Sequence, residues 1–206
     1  ELEVPAMAEP TTNTATHQDA MRAARSQDGK TLLELSERDP VLLVFLRHLG
    51  CTFCREAVAD IAKALPESSD SDGNDASDMP MLSGARVAFV FMPGKGSEAQ
   101  QRDRAQTFIA KYGLADAPRF PATDQSLYSA IGRGSSGQLF GVKSFTHGVV
   151  AGIVKGHGVG TLGGDGFQMP GVFLIDKGKV QAEYRHESAA DVPDYRGIAS
   201  CSIAGA

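Results

Sequence analysis

Apolar residues gather in short blocks along this chain, and the spacing inside each block predicts a different element. Val41 to Leu46 (VLLVFL) is an unbroken apolar run that follows Asp39-Pro40. It lacks the polar alternation of a half-exposed strand and is too short for a core helix, so it predicts a strand buried on both faces. Beyond it Cys54, Val58, Ile61 and Leu65 recur at helical spacing, with Arg55, Glu56, Asp60 and Lys63 between them. That is strand, tight turn and amphipathic helix. Arg86 to Met92 (RVAFVFM) predicts a second strand. Ser97 to Tyr112 predicts a helix capped by Ser97, with Ala105, Phe108, Ile109 and Tyr112 on one face.

Weaker signals fill in the rest. Residues Glu1 to His17 have no hydrophobic period and read as a flexible tail. Gln18 to Arg25 and Thr31 to Ser36 predict brief helices, and Phe120 to Thr123 a marginal strand. Asp124 to Ile131 predicts a short helix capped by Asp124. Pro66 to Gly84 carries Glu67, Asp70, Asp72, Asp75 and Asp78 without one basic residue, which predicts a solvated acidic loop. It lacks the regular oxygen spacing of a calcium loop. Phe140 to Val154 is ambiguous between helix and strand. Val172 to Ile175 and Val180 to Tyr184 flank Asp176-Lys177-Gly178-Lys179, a hairpin signal, and a last helix is expected after Pro193. Strands that alternate with helices and end in a hairpin predict an α/β protein. The expectation is one three-layer α/β/α domain with a mixed central sheet over residues 18–206.

Composition narrows the function classes. The net charge of −5 over 206 residues argues against a nucleic-acid binder held by a basic surface. No apolar run reaches the roughly 18–20 residues of a membrane-spanning helix. Neither a nucleic-acid partner nor a membrane is therefore expected. Residues 1–20 do not read as a secretory signal, so the expected location is cytoplasmic, although a leader already removed would leave no trace. Three cysteines are too few for a disulfide scaffold.

Two of those cysteines form Cys51-Thr52-Phe53-Cys54, at the point where the buried strand hands over to the helix. A thiol attacks as its thiolate, and an ordinary cysteine with pKa near about 8.5 is mostly protonated at neutral pH. Unpaired N–H groups and the positive end of the helix dipole would favour the anion at Cys51. Cys54, one turn on, is set to attack a mixed disulfide or sulfenic acid formed at Cys51. The spacing makes Cys51 the nucleophile and Cys54 the resolver. His48 and Arg55, with Arg47, are the neighbours that could tune the pair, and Phe53 would shape the surface around it. A zinc site would need two more ligands, and the five histidines have no ligand spacing.

On these residues the chain resembles the thioredoxin-fold superfamily, and within it the peroxiredoxin-like AhpC/TSA and SelL-related redox proteins. The strand, turn and CxxC helix of Val41 to Leu65 carry half of the likeness. Gln168-Met169-Pro170-Gly171-Val172-Phe173-Leu174-Ile175-Asp176-Lys177-Gly178 carries the other half, with Tyr128 and the Ala189 to Tyr195 segment also similar. The resemblance implies a thioredoxin fold in which Pro170 is cis beside the cysteines and Met169 lends backbone to a substrate. It implies a thiol-dependent oxidoreductase with no bound cofactor. The substrate would be a disulfide or hydroperoxide, and an external thiol reductant such as a thioredoxin or glutathione system would reset the pair. Peroxiredoxins carry a PxxxTxxC pattern, and here Val44 and His48 stand where its Pro and Thr would be. Disulfide exchange uses only what is present.

Other features add less. Gly158-Val159-Gly160-Thr161-Leu162-Gly163 matches the GxGxxG dinucleotide fingerprint but is followed by Gly164-Asp165-Gly166 rather than by a helix. It reads as a glycine loop on the substrate side. Gly132 to Gly137, with Arg133, reads as a solvated loop, and Cys201 as an incidental thiol or a second resolver. A non-catalytic thioredoxin-fold binding module, with vestigial or regulatory cysteines, is the alternative from a different class.

Overall fold

The computed structural model describes residues 14–66, 79–92, 94–122, 126–129, 170–186 and 191–201. In chain order the elements are α1 (Thr14–Ala23), α2 (Leu32–Arg38), β1 (Val41–Leu46), α3 (Thr52–Ala64), β2 (Met81–Leu82) and β3 (Ala85–Phe91). There follow α4 (Glu98–Ala110), β4 (Arg119–Pro121), α5 (Ser126–Ser129), β5 (Gly171–Asp176), β6 (Lys179–Arg185) and α6 (Tyr195–Ser200).

Among the described residues the strands form one six-stranded mixed sheet, ordered β2-β3-β1-β5-β6, with β4 also on β3. β1 pairs parallel with β3 from Val41↔Arg86 to Leu46↔Phe91, and antiparallel with β5 from Val41↔Ile175 to Phe45↔Gly171. Flanked on both edges, β1 is buried at all six positions. This explains its continuous apolar sequence, because neither face meets water.

Successive side chains of a strand point to opposite faces. Leu42, Val44 and Leu46 accordingly join one core cluster with Val87, Phe89 and Phe91, and with Cys54, Val58 and Ile61 of α3, Ala105 and Ile109 of α4 and Tyr195 and Ala199 of α6. Val41, Leu43 and Phe45 join a second cluster with Ala88, Val90 and Phe173, and with Met21 of α1, Leu32 and Leu35 of α2 and Tyr128 of α5. Helices thus cover the sheet on both faces, as an α/β arrangement requires.

The helix starts follow local chemistry. Thr31 and Glu34 form a reciprocal capping box on α2, and Ser97 and Gln100 do the same on α4. The Asp176-Lys177-Gly178-Lys179 turn has positive φ at both central residues, 49° at Lys177 and 69° at Gly178, as the type I′ hairpin requires. Ser36 holds this turn against α2, its carbonyl accepting from Lys177 N–H at 2.8 Å and its hydroxyl from Gly178 N–H at 3.2 Å.

Three expectations change. The tail ends sooner, because residues 14–17 lie in α1, and residues 1–13 are outside the described set. Once the Met21 face is docked, adding a turn at the N-terminus avoids a second nucleation cost. The acidic segment 66–84 contains structure at its end, since Leu82 pairs with Ala85 across Ser83 (φ 49°) and Gly84 (φ 81°). Residues 67–78 lie outside the described set, as do Asp124, the Phe140 to Val154 stretch and both glycine-rich loops, Gly132 to Gly137 and Gly156 to Gly166. Glu56 is buried rather than on a solvated helix face, since α6 packs there and Arg196 donates to the Ala64 carbonyl at 3.1 and 2.6 Å.

Tyr128 fixes the end of β1 from which the chain departs toward the cysteines. Its hydroxyl donates to the Leu46 carbonyl and lies 3.4 Å from that of Val90, while its ring meets Phe45 edge to face at 5.2 Å. Replacing Tyr128 by Phe is expected to cost about 1–3 kcal/mol, since it leaves a buried carbonyl short of a donor. Urea unfolding measures this, and an unchanged midpoint would contradict the anchoring role.

Candidate active site

After Leu46 the chain leaves the sheet through Arg47, His48, Leu49 and Gly50, and Cys51 N–H donates to the His48 carbonyl at 3.1 Å, closing a tight turn. Cys51 is then the N-cap of α3, with extended backbone (φ −75°, ψ 128°), and its carbonyl accepts the first helical bond from Arg55 N–H at 3.1 Å. Both Cys51 and Cys54 are buried free thiols.

The two thiols ionise very differently. Cys51 is lowered to about 6, first by a hydrogen bond from the Cys54 thiol, against the opposing effect of burial, and then by the Arg47 guanidinium. Its sulfur makes no full capping bond, yet the N–H groups of Cys54 and Phe53 face it closely enough to favour the anion. Arg47 Nη1 stands 3.8 Å from Cys51 Sγ inside the protein. Cys54 is pushed well above the ordinary thiol range, because it donates to Cys51, is buried, and feels the negative charge of Cys51. The N–H of His48 and the charge of Arg47 oppose that rise.

Among the neighbours named from sequence, His48 is buried, and burial followed by the charge of Arg47 lowers its pKa, which favours the neutral ring. Arg47 is the cation at the Cys51 sulfur. Arg55 points the other way, toward α4, where it opposes the burial-driven rise of the Tyr112 hydroxyl. Phe53, Cys54, Arg47 and Pro170 line one narrow cleft of about 20 Å³, together with Tyr195 and Glu56. Pro170 precedes Gly171, the partner of Phe45, and its carbonyl accepts from His186 N–H at 3.4 Å. That puts it at the β1 end of the sheet beside the cysteine turn. Met169, and with it the Met169–Pro170 peptide, lies outside the described residues.

No protein-family model matches this chain, and no curated protein matches it either.

The sequence singled out Tyr195 only through the resemblance of its segment and gave it no role at the site. In the fold Tyr195, from α6, is raised by burial and by the charges of Asp60, Cys54 and Glu56, so it is neutral beside Cys54. Only the docking of α6 on α3 makes this neighbourhood. Cys201 is the exposed C-cap of α6, and its thiol donates to the Gly197 carbonyl at 3.3 Å. Among the described residues no group of three or more His, Cys, Asp and Glu side chains could hold a metal, and no helix is long and apolar enough to cross a membrane.

Because only the thiolate is alkylated, the rate of Cys51 alkylation in the reduced protein should rise with pH and reach its midpoint at about 6. Arg47→Gln and Cys54→Ala should each move that midpoint upward, since each removes a group that favours the anion. Iodoacetamide kinetics across pH 4–10, with the alkylated residue identified by mass spectrometry, measure this. A midpoint at the ordinary thiol value in the unaltered protein would refute the activation of Cys51.

Proposed function

We propose that this protein is a thiol-disulfide oxidoreductase with a thioredoxin-type fold, in which Cys51 attacks and Cys54 resolves. The observation that carries the reading is a pair of buried free thiols one turn apart at a strand-to-helix turn, with the Arg47 guanidinium 3.8 Å from Cys51 Sγ, an arrangement that lowers the Cys51 thiol to about 6. The fold reading is supported by the parallel β1-α3-β3 unit, the antiparallel β5-β6 hairpin and the closing helix α6. A compartment that keeps thiols reduced, such as the cytoplasm, would supply the external reductant, a thioredoxin or glutathione system.

In the first step the Cys51 thiolate attacks one sulfur of the substrate disulfide. The substrate S–S bond breaks, a Cys51 mixed disulfide forms, and the displaced thiolate takes a proton from solvent. Two of the causes that hold the Cys54 proton, its hydrogen bond to the Cys51 thiolate and the charge of that thiolate, vanish at this moment. The effects that favour the Cys54 anion, the His48 N–H and Arg47, persist. Cys54 thus becomes more acidic when its thiolate is required. It gives up its proton, attacks Cys51 Sγ, and expels the second substrate thiolate. The protein has lost two electrons to the substrate and holds a Cys51–Cys54 disulfide, which the external reductant reopens.

A hydroperoxide is a second oxidant for the same thiolate, favoured by the Arg47 guanidinium at the sulfur. Attack on the O–O bond would leave Cys51 as sulfenic acid and release an alcohol or water. Cys54 would then condense with it, releasing water and closing the same disulfide.

Stopped-flow mixing of reduced protein with a disulfide, and separately with hydrogen peroxide, distinguishes the two oxidants. Disulfide reduction is expected to be lost in Cys51→Ala, and Cys54→Ala should accumulate one equivalent of covalent mixed disulfide on Cys51. A Cys51→Ala variant that reduces disulfides as fast as the unaltered protein would refute the proposal. Peroxide oxidation no faster than that of free cysteine would remove the second oxidant.

A further inference from the structure

On the α4 side of the cysteine turn lies a second, larger cleft, of about 630 Å³. Its near wall is His48, Leu49 and Gly50, the residues that lead into Cys51, together with Arg55, the first residue after Cys54. The far wall is α4 with its flanks and brings Lys95, Arg104 and Lys111. Among the described residues that line it, the cations outnumber the one carboxylate, that of Asp103, in a protein whose net charge is −5. Phe108 and Tyr112, stacked edge to face at 5.7 Å, supply an apolar floor among them.

Arg55 comes from α3 and Arg104 from α4, while Lys95 and Lys111 flank α4, and Arg104 donates to the Lys95 carbonyl at 2.9 Å. A concave site of this size suits a small molecule of a few hundred daltons better than a flat protein surface. A basic cleft with low-dielectric walls also raises the local concentration of anions. It opens beside the turn that carries the nucleophile, so a ligand seated in it could present a bond to that turn.

We propose that this cleft binds a small anionic disulfide, one whose carboxylates are met by the exposed Lys95, Arg104 and Lys111 while its S–S bond faces the Cys51 turn. The proposal rests on the redox reading above and names the substrate class of that site. Cys51 thiolate displaces one half of the ligand as a carboxylate thiol, and Cys54 displaces the other, so two anionic thiols leave for each protein disulfide formed. The apolar floor contacts the methylene carbons between sulfur and carboxylate.

Three disulfides of matched length test this: 3,3′-dithiodipropionate (dianion), bis(2-hydroxyethyl) disulfide (neutral) and cystamine (dication). Each rate with the reduced protein is divided by its rate with dithiothreitol, which removes intrinsic reactivity. The normalised rate is expected to be at least about tenfold higher for the dianion than for the dication at low salt, with the preference shrinking at high salt. The exposed double substitution Arg104→Gln, Lys111→Gln should bring the ratio of dianion to dication toward one. Equal normalised rates for the three disulfides, or a preference that survives the double substitution, would overturn the cleft assignment. Calorimetric binding of dithiodipropionate to a Cys51→Ser protein separates this from the redox reading, since it needs no exchange. Binding there that the double substitution weakens supports the cleft even if no disulfide is reduced, and absence of binding overturns it.

Discussion

β1 is covered on both faces and paired along both edges, and that confinement governs the rest of the molecule. A strand so placed cannot shift register by one residue without moving its six apolar side chains to the wrong faces. Tyr128 adds a hydrogen bond at its last carbonyl. The chain must therefore leave the sheet at Leu46, and a five-residue turn delivers Cys51 to the start of α3. The position of Cys51 is set by packing that has nothing to do with sulfur.

The same burial sets the electrostatic problem. Taking a thiol out of water disfavours its anion, and Cys51 is buried. Its thiolate forms only because the Cys54 thiol, the Arg47 guanidinium and the peptide N–H groups of Phe53 and Cys54 together outweigh that penalty. Cys54 bears the complementary effect, since the hydrogen bond that stabilises one anion withholds the other. A pair arranged in this way has one ready nucleophile at a time. Pro170, Phe53 and Tyr195 line a narrow cleft with Cys54. The basic cleft beside α4 is lined by His48, Leu49 and Gly50, the residues that lead into Cys51.

Much of this was legible in the sequence, for physical reasons that differ by element. VLLVFL could be read to the residue because burial on both faces leaves no polar position, and the CxxC marked the start of α3. Ser97 announced the start of α4 as its cap, and in the fold Gln100 completes a capping box with it. The two-residue strand Met81–Leu82 was hidden because its polar surroundings outweigh two apolar residues. Glu56 read as a solvated position because its burial depends on α6, far along the chain. Arg47 and His48 are adjacent polar residues after a strand, and sequence alone could not rank them; in the fold Arg47 reaches the sulfur while burial favours neutral His48. The basic cleft had no linear signature, since Arg55 and Lys111 line one cleft only after α3 and α4 pack on the same face of the sheet.

The central claim is that Cys51 and Cys54 act as one two-electron couple, and an equilibrium redox titration tests it most directly. Protein poised in thiol-disulfide buffers and quenched by acid and alkylation should lose both thiols together in a single two-electron transition. The midpoint should lie within the span of thiol-disulfide oxidoreductases, about −270 to −120 mV, with Cys201 remaining free. Oxidation of Cys51 and Cys54 at separate potentials, or a disulfide that links either of them to Cys201 instead, would contradict the account.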